Sequence, residues 1–270
     1  MQLRAASVDQ PERQASSLLK FVLDRPASFL IAHPEYELSE DEDAAFAVAV
    51  DRRSTREPFQ YIVGRQEFYG LDFVVEPEVL IPRPETEILV EAAIDKLSCL
   101  DAPRFCEIGV GSGCVSISIL VNLPNASAVG VDISRAALAV AQRNAITHHV
   151  TDRIELIESD LFANVASKFD LVVSNPPYIP AEDIDALQLE VRDYEPLTAL
   201  SGGPGGLDIV KRLILDAPTH LVAGGSLMME IGIGQSKDVT AMFDPLIWHS
   251  PCFLHDLQQI PRTVLAKLRG

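Results

Sequence analysis

The sequence predicts an α/β protein built on a mainly parallel, doubly wound sheet, preceded by a smaller helical region. Three observations carry that expectation. Short β-prone runs alternate with helical stretches from about residue 85 onward, a glycine-rich turn directly follows the first of those runs, and the first sixty or so residues show helical patterning. A right-handed crossover is the usual way to join parallel strands, so the alternation places helices on both faces of the sheet. At 270 residues the chain has room for one such domain and an accessory segment.

Taken in order, Leu18, Phe21, Val22 and Arg25 share a mostly apolar helical face that Pro26 interrupts. Ser39-x-x-Glu42 is a capping box ahead of the apolar stretch from Ala44 to Val50. Glu40, Asp41, Glu42 and Asp43 fall in the first turn of that helix, where its dipole favours them, so this charge run reads as a solvated helix start. From Gln60 to Pro84 the pattern changes. Runs at 61–63, 68–69 and 73–75, broken by Gly64 and Gly70, predict a hairpin. A helix is expected over about 85–97. Strands follow at 105–108, 128–132, 154–159, 170–174 and 226–231, with helices at 115–122, 135–147, 207–221 and 236–243. Runs at 248–254 and 263–268 can add a late antiparallel pair. The domain expectation is therefore 1–59 helical, 60–84 a hairpin linker, and 85–270 the α/β domain.

Composition narrows the function. With 22 Lys+Arg against 39 Asp+Glu the net charge is −17, and the mean field repels polyanions. The longest apolar run spans seven residues, Ala44 to Val50, against the roughly 18 needed to cross a bilayer, and the polar opening is no secretory signal, so a cytoplasmic protein is expected. Cys99, Cys106, Cys114 and Cys252 form no CxxC pair and have no histidine at zinc-ligand spacing, so no metal site is expected.

The glycine turn, Glu107-Ile108-Gly109-Val110-Gly111-Ser112-Gly113, lies where a doubly wound sheet binds a nucleotide-like ligand. Its GxGxG spacing departs from the dinucleotide fingerprint, which wants a small residue where Cys114 stands. Glu107 suits a cationic ligand better than a pyrophosphate, which it would repel. Asp132, 19 residues beyond Gly113 at the end of the second strand, can accept hydrogen bonds from ribose hydroxyls, and Asp160 after the third strand can meet an adenine amine. Amino group, sulfonium, ribose and adenine together describe S-adenosylmethionine. Each carboxylate taken alone can equally be a helix cap.

Asn175-Pro176-Pro177-Tyr178 follows the fourth strand. Consecutive prolines stiffen the turn and remove two N–H donors, leaving carbonyls as outward acceptors. Asn175 adds a side-chain carbonyl and Tyr178 a ring, a set suited to a planar –NH2 group.

Here the motifs resemble those of the class I S-adenosylmethionine-dependent amino-methyltransferases. NPPY serves both adenine and glutamine methylation. The wider chain, through Ile81-Pro-Arg-Pro-Glu-Thr-Glu87, Pro58-Phe-Gln-Tyr-Ile-Val-Gly64 with Glu67-Phe-Tyr, and Glu195-Pro-Leu-Thr-Ala-Leu200, is similar to the HemK-type release factor glutamine methyltransferases. Relatives acting on a ribosomal-protein glutamine differ where this chain has IPRPETE. The resemblance covers nearly the whole chain and is weakest over the first fifty-odd residues. It implies a Rossmann-like, mainly parallel seven-stranded sheet, with the N-terminal helices docking the protein substrate and 85–270 as the methyltransferase domain. It also implies S-adenosylmethionine as cofactor and, as substrate, the glutamine of the Gly-Gly-Gln motif in bacterial class I peptide chain release factors. No membrane and no direct nucleic-acid partner is expected. Carried residue by residue, it assigns the cofactor to Glu107, Gly109, Val110, Gly111, Ser112, Gly113, Asp132, Asp160, Leu161 and Asn175. Asn175, Pro176, Pro177 and Tyr178 form the substrate pocket, with Asn175, Pro176 and Tyr178 catalytic. The family commonly has Thr where Val110 stands, which puts a hydroxyl contact in the loop in doubt, and IPRPETE is implied to cap the cofactor. The alternatives are methylation of an adenine amino group in nucleic acid or of a ribosomal-protein glutamine.

Overall fold

The computed structural model describes residues 2–270 and divides into two compact units. The first runs up to Arg65 and takes in Gln188–Tyr194. Its helices include Pro11–Leu23, Glu40–Ser54 and Phe59–Val63, packed around Leu3, Val8, Leu18, Ala49 and Ile62. The Pro11–Leu23 helix stops ahead of Pro26, where Asp24 turns left-handed (φ 49°). The capping box at Ser39 forms as its spacing predicts: Glu42 N donates to Ser39 Oγ at 3.3 Å and Ser39 N to Glu42 Oε2 at 2.8 Å. The run 61–63 corrects the β expectation. Tyr61 and Ile62 are buried on a short helix that Gly64 ends in a left-handed conformation, so packing of the apolar pair overrides β propensity. The returning segment is held by Glu190, which accepts from Arg53 at 2.8 Å and from Arg56 at 2.7 Å.

The second unit, Gln66–Leu187 with Glu195–Gly270, carries the large sheet. Strands β1 (Arg65–Phe68) and β2 (Leu71–Val74) form a separate two-stranded hairpin whose two-residue turn, Tyr69 and Gly70, has positive φ at both positions, the geometry that matches strand twist. The seven-stranded sheet comprises β3 (Arg104–Ile108), β4 (Ser127–Asp132), β5 (Ile154–Glu158), β6 (Phe169–Ser174), β7 (Leu221–Glu230), β8 (Cys252–His255) and β9 (Pro261–Lys267). Its order is β5-β4-β3-β6-β7-β9-β8, parallel except around β9. The run predicted at 248–254 is shorter as a strand, with only an isolated bridge at Trp248. Pro251 lies between the two and has no N–H to give a ladder.

Strand periodicity sorts the core into two layers. Cys106, Ile108, Val129, Val131, Leu227 and Met229 face one cluster, filled from helices Asp208–His220 and Ser236–Met242. Their neighbours Phe105, Ala128, Leu171, Val173 and Met228 face the other, filled from helices Glu87–Leu97 and Cys114–Asn122. Both faces are therefore covered, as a parallel sheet requires. Strand order reverses at β3, which has β4 on one side and β6 on the other, and a crevice opens at the carboxyl ends there. Among the described residues no helix is long and apolar enough to cross a membrane.

Candidate active site

The crevice holds a cavity of about 390 Å³, within the usual range of roughly 300–1,000 Å³ for small-molecule sites. One wall is the glycine turn. Gly109 N and Val110 N both donate to the Val131 carbonyl, at 2.8 and 2.9 Å, which anchors the turn to the end of β4. Gly111 has φ 52°, and a Cβ built on it would meet nothing within 4 Å, so its backbone stands open to the cavity. Gly113 differs: at φ 81° it opens the Cys114–Asn122 helix, and a Cβ would lie 2.8 Å from Ile117 Cδ1.

The strand-end carboxylates separate by environment. Glu107 is 2% exposed, and burial raises its pKa to about 8 even though Ser116 N donates to its Oε2 at 2.9 Å. Asp132 is half-buried. Gly111 N donates to its Oδ2 and Ser134 N to its Oδ1, both at 2.9 Å, and each oxygen keeps a second lone pair for a ligand. Burial still lifts its pKa against those donors. Asp160 lines the cavity but is paired with Arg212 at 2.9 Å on exposed surface, so its carboxylate is already engaged. Leu161, next to it, lines the cavity with φ 49°.

Two loop residues serve the turn from within. The Val110 side chain is 2% exposed and packs over Gly130, where a Cβ would come within 3.0 Å of Val110 Cγ2. Ser112 is equally buried, and its carbonyl accepts from Asn144 Nδ2 at 2.8 Å. Asn144 also exchanges hydrogen bonds with both backbone groups of Val74, so one buried carboxamide ties the glycine turn to β2.

The opposite wall is the turn after β6. Asn175, Pro176 and Pro177 line the cavity. Gln235 Nε2 donates to the Tyr178 carbonyl at 2.9 Å, while among the described residues no hydrogen bond ends on the Pro176 carbonyl. Asn175 Nδ2 donates to Thr86 Oγ1 at 3.1 Å, Thr86 Oγ1 donates to Glu230 Oε2 at 2.7 Å, and the Tyr178 hydroxyl donates to Glu230 Oε1 at 2.9 Å. Glu230 is the buried last residue of β7, and burial raises its pKa, as it does that of Tyr178. Tyr178 does not line this cavity, and its hydroxyl is held by Glu230. The IPRPETE segment reaches the site through Pro82, Arg83 and Thr86, and Arg83 pairs with the buried Glu195 of the Glu195–Leu200 motif. Sequence reading placed Thr86 only within the IPRPETE cap and not as a partner of Asn175, and it missed Glu230 as a site group and also Ile133, which lines the cavity beside Asp132 while 62% exposed. A large apolar side chain directly after a strand-end carboxylate was the available signal for Ile133. Glu230 carried a similar one, as a lone acid ending an apolar strand.

Comparison with known proteins agrees with this geometry. Residues 1–64 match the family described as PrmC N-terminal domain, and residues 85–189 match Methyltransferase small domain. The release factor glutamine methyltransferase of Geobacter sulfurreducens is 46% identical over 89% of this chain and 84% of its own length. That of Koribacter versatilis is 40% identical over 98% and 94%. Among solved structures, the ribosomal protein L11 methylase of Lactobacillus delbrueckii subsp. bulgaricus superposes with TM-score 0.53 at 20% identity, covering 73% of this chain and 84% of that one, which shows the shared fold. Glycine turn, NPPY wall and near full-length similarity converge: the chain belongs to the release factor glutamine methyltransferase family.

Proposed function

We propose that the protein transfers a methyl group from S-adenosylmethionine to the side-chain amide nitrogen of the glutamine in the Gly-Gly-Gln motif of bacterial class I release factors, supporting translation termination. The observation that carries this reading is the pairing, on one cavity wall, of the unengaged Pro176 carbonyl with an Asn175 whose Nδ2 is already committed to Thr86. Asn175 Oδ1 and the Pro176 carbonyl are thereby left as two acceptors, the complement of an –NH2 group.

The residues present fit the cofactor. Gly111 leaves room where a Cβ would stand, Asp132 keeps two lone pairs for ribose hydroxyls, and Glu107 offers a buried carboxylate to a cation. Leu161 and Ile133 supply apolar surface for the base. When bound, S-adenosylmethionine supplies a methyl group on positively charged sulfur, already a strong electrophile. The chain's task is the nucleophile. An amide nitrogen is poor because its lone pair is delocalised into the carbonyl. Asn175 Oδ1 and the Pro176 carbonyl, by accepting both N–H bonds, localise charge on that nitrogen and aim it. Such placement can contribute up to roughly 7–11 kcal/mol in favourable cases. No strong base is required beforehand, since the methylated nitrogen is far more acidic and its proton leaves afterwards.

Mass spectrometry of a release factor after reaction tests this: one added methyl on the Gly-Gly-Gln glutamine is expected, and an unmodified glutamine refutes it. We further assign the N-terminal helices to docking the release factor. A short Gly-Gly-Gln peptide should then show a much higher KM than the intact factor, and equal KM values would remove the docking role.

A further inference from the structure

The Asn175 carboxamide could meet the cavity by either end. Oδ1 and Nδ2 are nearly isosteric, and a half-turn about χ2 exchanges an acceptor for a donor. Only the acceptor serves the proposed substrate, so something must hold the choice. The hydrogen bonds behind Asn175 do so through their polarity. An ionised Glu230 can only accept, and it has a hydroxyl on each oxygen, Tyr178 at 2.9 Å and Thr86 at 2.7 Å. Thr86 has one proton, and it is spent on Glu230. Toward Asn175, Thr86 Oγ1 can therefore offer only a lone pair, which selects Nδ2 at 3.1 Å and turns Oδ1 away as the free acceptor.

We propose that Glu230 is a positioning residue for this reaction, fixing through Thr86 which end of the Asn175 carboxamide faces the substrate amide. The inference rests on the function proposed above and extends it to a carboxylate that does not itself line the cavity. A protonated Glu230 can donate to Thr86 Oγ1, freeing the threonine proton for Asn175 Oδ1 and favouring the flipped carboxamide. The groups that act on Glu230 are Thr86 and Tyr178 through hydrogen bonds, Glu85 as a like charge that raises its pKa, and Arg262 on β9 as an opposing one; burial is the largest influence and raises it. Turnover should accordingly fall as the solution is acidified through the Glu230 titration.

The test compares wild type, E230Q, T86V and T86S with purified release factor. E230Q lets an amide donate to Thr86, T86V removes the relay at nearly constant volume, and T86S keeps it. E230Q and T86V should lower kcat by about tenfold to a hundredfold, the cost of a misdirected polar group, with release-factor KM and calorimetric S-adenosylhomocysteine affinity close to wild type. T86S should restore turnover. The wild-type acid limb should be absent in E230Q. Without any cofactor, the Asn175 side-chain amide resonances should shift with that same titration in wild type and stay fixed in E230Q. If E230Q fails to fold, T86V against T86S decides. Wild-type kcat in E230Q and T86V, with turnover lost in N175A, would overturn the positioning role alone. Failure of wild type to methylate the factor would instead overturn the function reading, and the Asn175 resonances would still report the polarity.

Discussion

The two walls of the cavity are built by different means. The glycine-turn wall is made of backbone: left-handed φ angles that glycine adopts most readily, N–H groups anchored on Val131, and one carboxylate, Asp132, that accepts from the Gly111 and Ser134 amides. The NPPY wall sets one backbone acceptor, the Pro176 carbonyl, beside a side chain, Asn175, that is held by others from far along the chain, Thr86 from ahead of β3 and Glu230 from the end of β7. The first wall needs particular residues because of what they lack, a Cβ. The second needs them for the direction in which each hydrogen bond runs. Substitutions on the first should therefore appear in affinity or stability, and on the second in turnover.

The largest effect is expected on the relay wall. Asn175→Ala deletes the acceptor proposed to aim the nitrogen and should lower kcat by about 10²–10³, the scale of losing one preorganised transition-state hydrogen bond. Cofactor affinity by calorimetry should change little. If Kd rises as steeply as kcat falls, Asn175 belongs to both walls and the contrast between them dissolves. Next comes Asp132→Ala, which should weaken S-adenosylmethionine binding by about 1.5–3 kcal/mol, roughly tenfold to 150-fold in Kd, by removing charge-assisted hydrogen bonds. Unchanged affinity would show that backbone alone makes the binding wall.

The same contrast explains what the sequence made legible. Gly109, Gly111, Gly113 and Asp132 announce themselves because a turn is a local event, encoded within a few residues of the strand that precedes it. NPPY is local too, and its residues reach the cavity wall except Tyr178, whose hydroxyl is drawn back to Glu230. The relay could not be read, since bringing Asn175 and Tyr178 beside Glu230 depends on a strand order in which β6 and β7 lie side by side, and Thr86 joins them from a segment ahead of β3. Residues 61–63 illustrate the limit of propensity: an aromatic and two β-branched residues form a helix because burial of Tyr61 and Ile62 outweighs a β preference worth only about 1 kcal/mol. Asp160 shows the converse, an acid after β5 that lines the cavity but whose charge is engaged by Arg212, a partner 52 residues away.

Within the backbone wall, two glycines should part company. Gly113→Ala forces a Cβ to within 2.8 Å of Ile117 Cδ1 at φ 81°, and should destabilise the fold by about 1–3 kcal/mol, seen as a lowered Tm. Gly111→Ala meets no protein atom, so beyond the milder cost of its left-handed φ its effect should fall on cofactor affinity. Equal Tm losses with equal affinities would mean the turn is rigid throughout and holds no open face toward the cavity.

The smallest effect is a proton. Burial holds Glu107 at a pKa of about 8, well above its usual value, so near neutral pH the free protein keeps this carboxyl largely protonated. A cationic ligand beside it favours the ionised form, and binding should release a proton. Affinity for S-adenosylmethionine should then rise with pH up to about 8 and level off, by at most ~1.4 kcal/mol per unit, one proton's worth. Stability of the free protein runs the other way. A folded carboxyl with a raised pKa binds protons that the unfolded chain has shed, so its contribution is full below the unfolded value and is lost as pH rises through about 8. Calorimetry at pH 7 in buffers of different ionisation enthalpy counts the proton directly. Glu107→Gln keeps an acceptor for Ser116 N and should abolish the release. A binding enthalpy independent of buffer in the wild type would mean that Glu107 does not meet the ligand's positive charge, leaving Asp132 to hold the cofactor on this wall with backbone alone beside it.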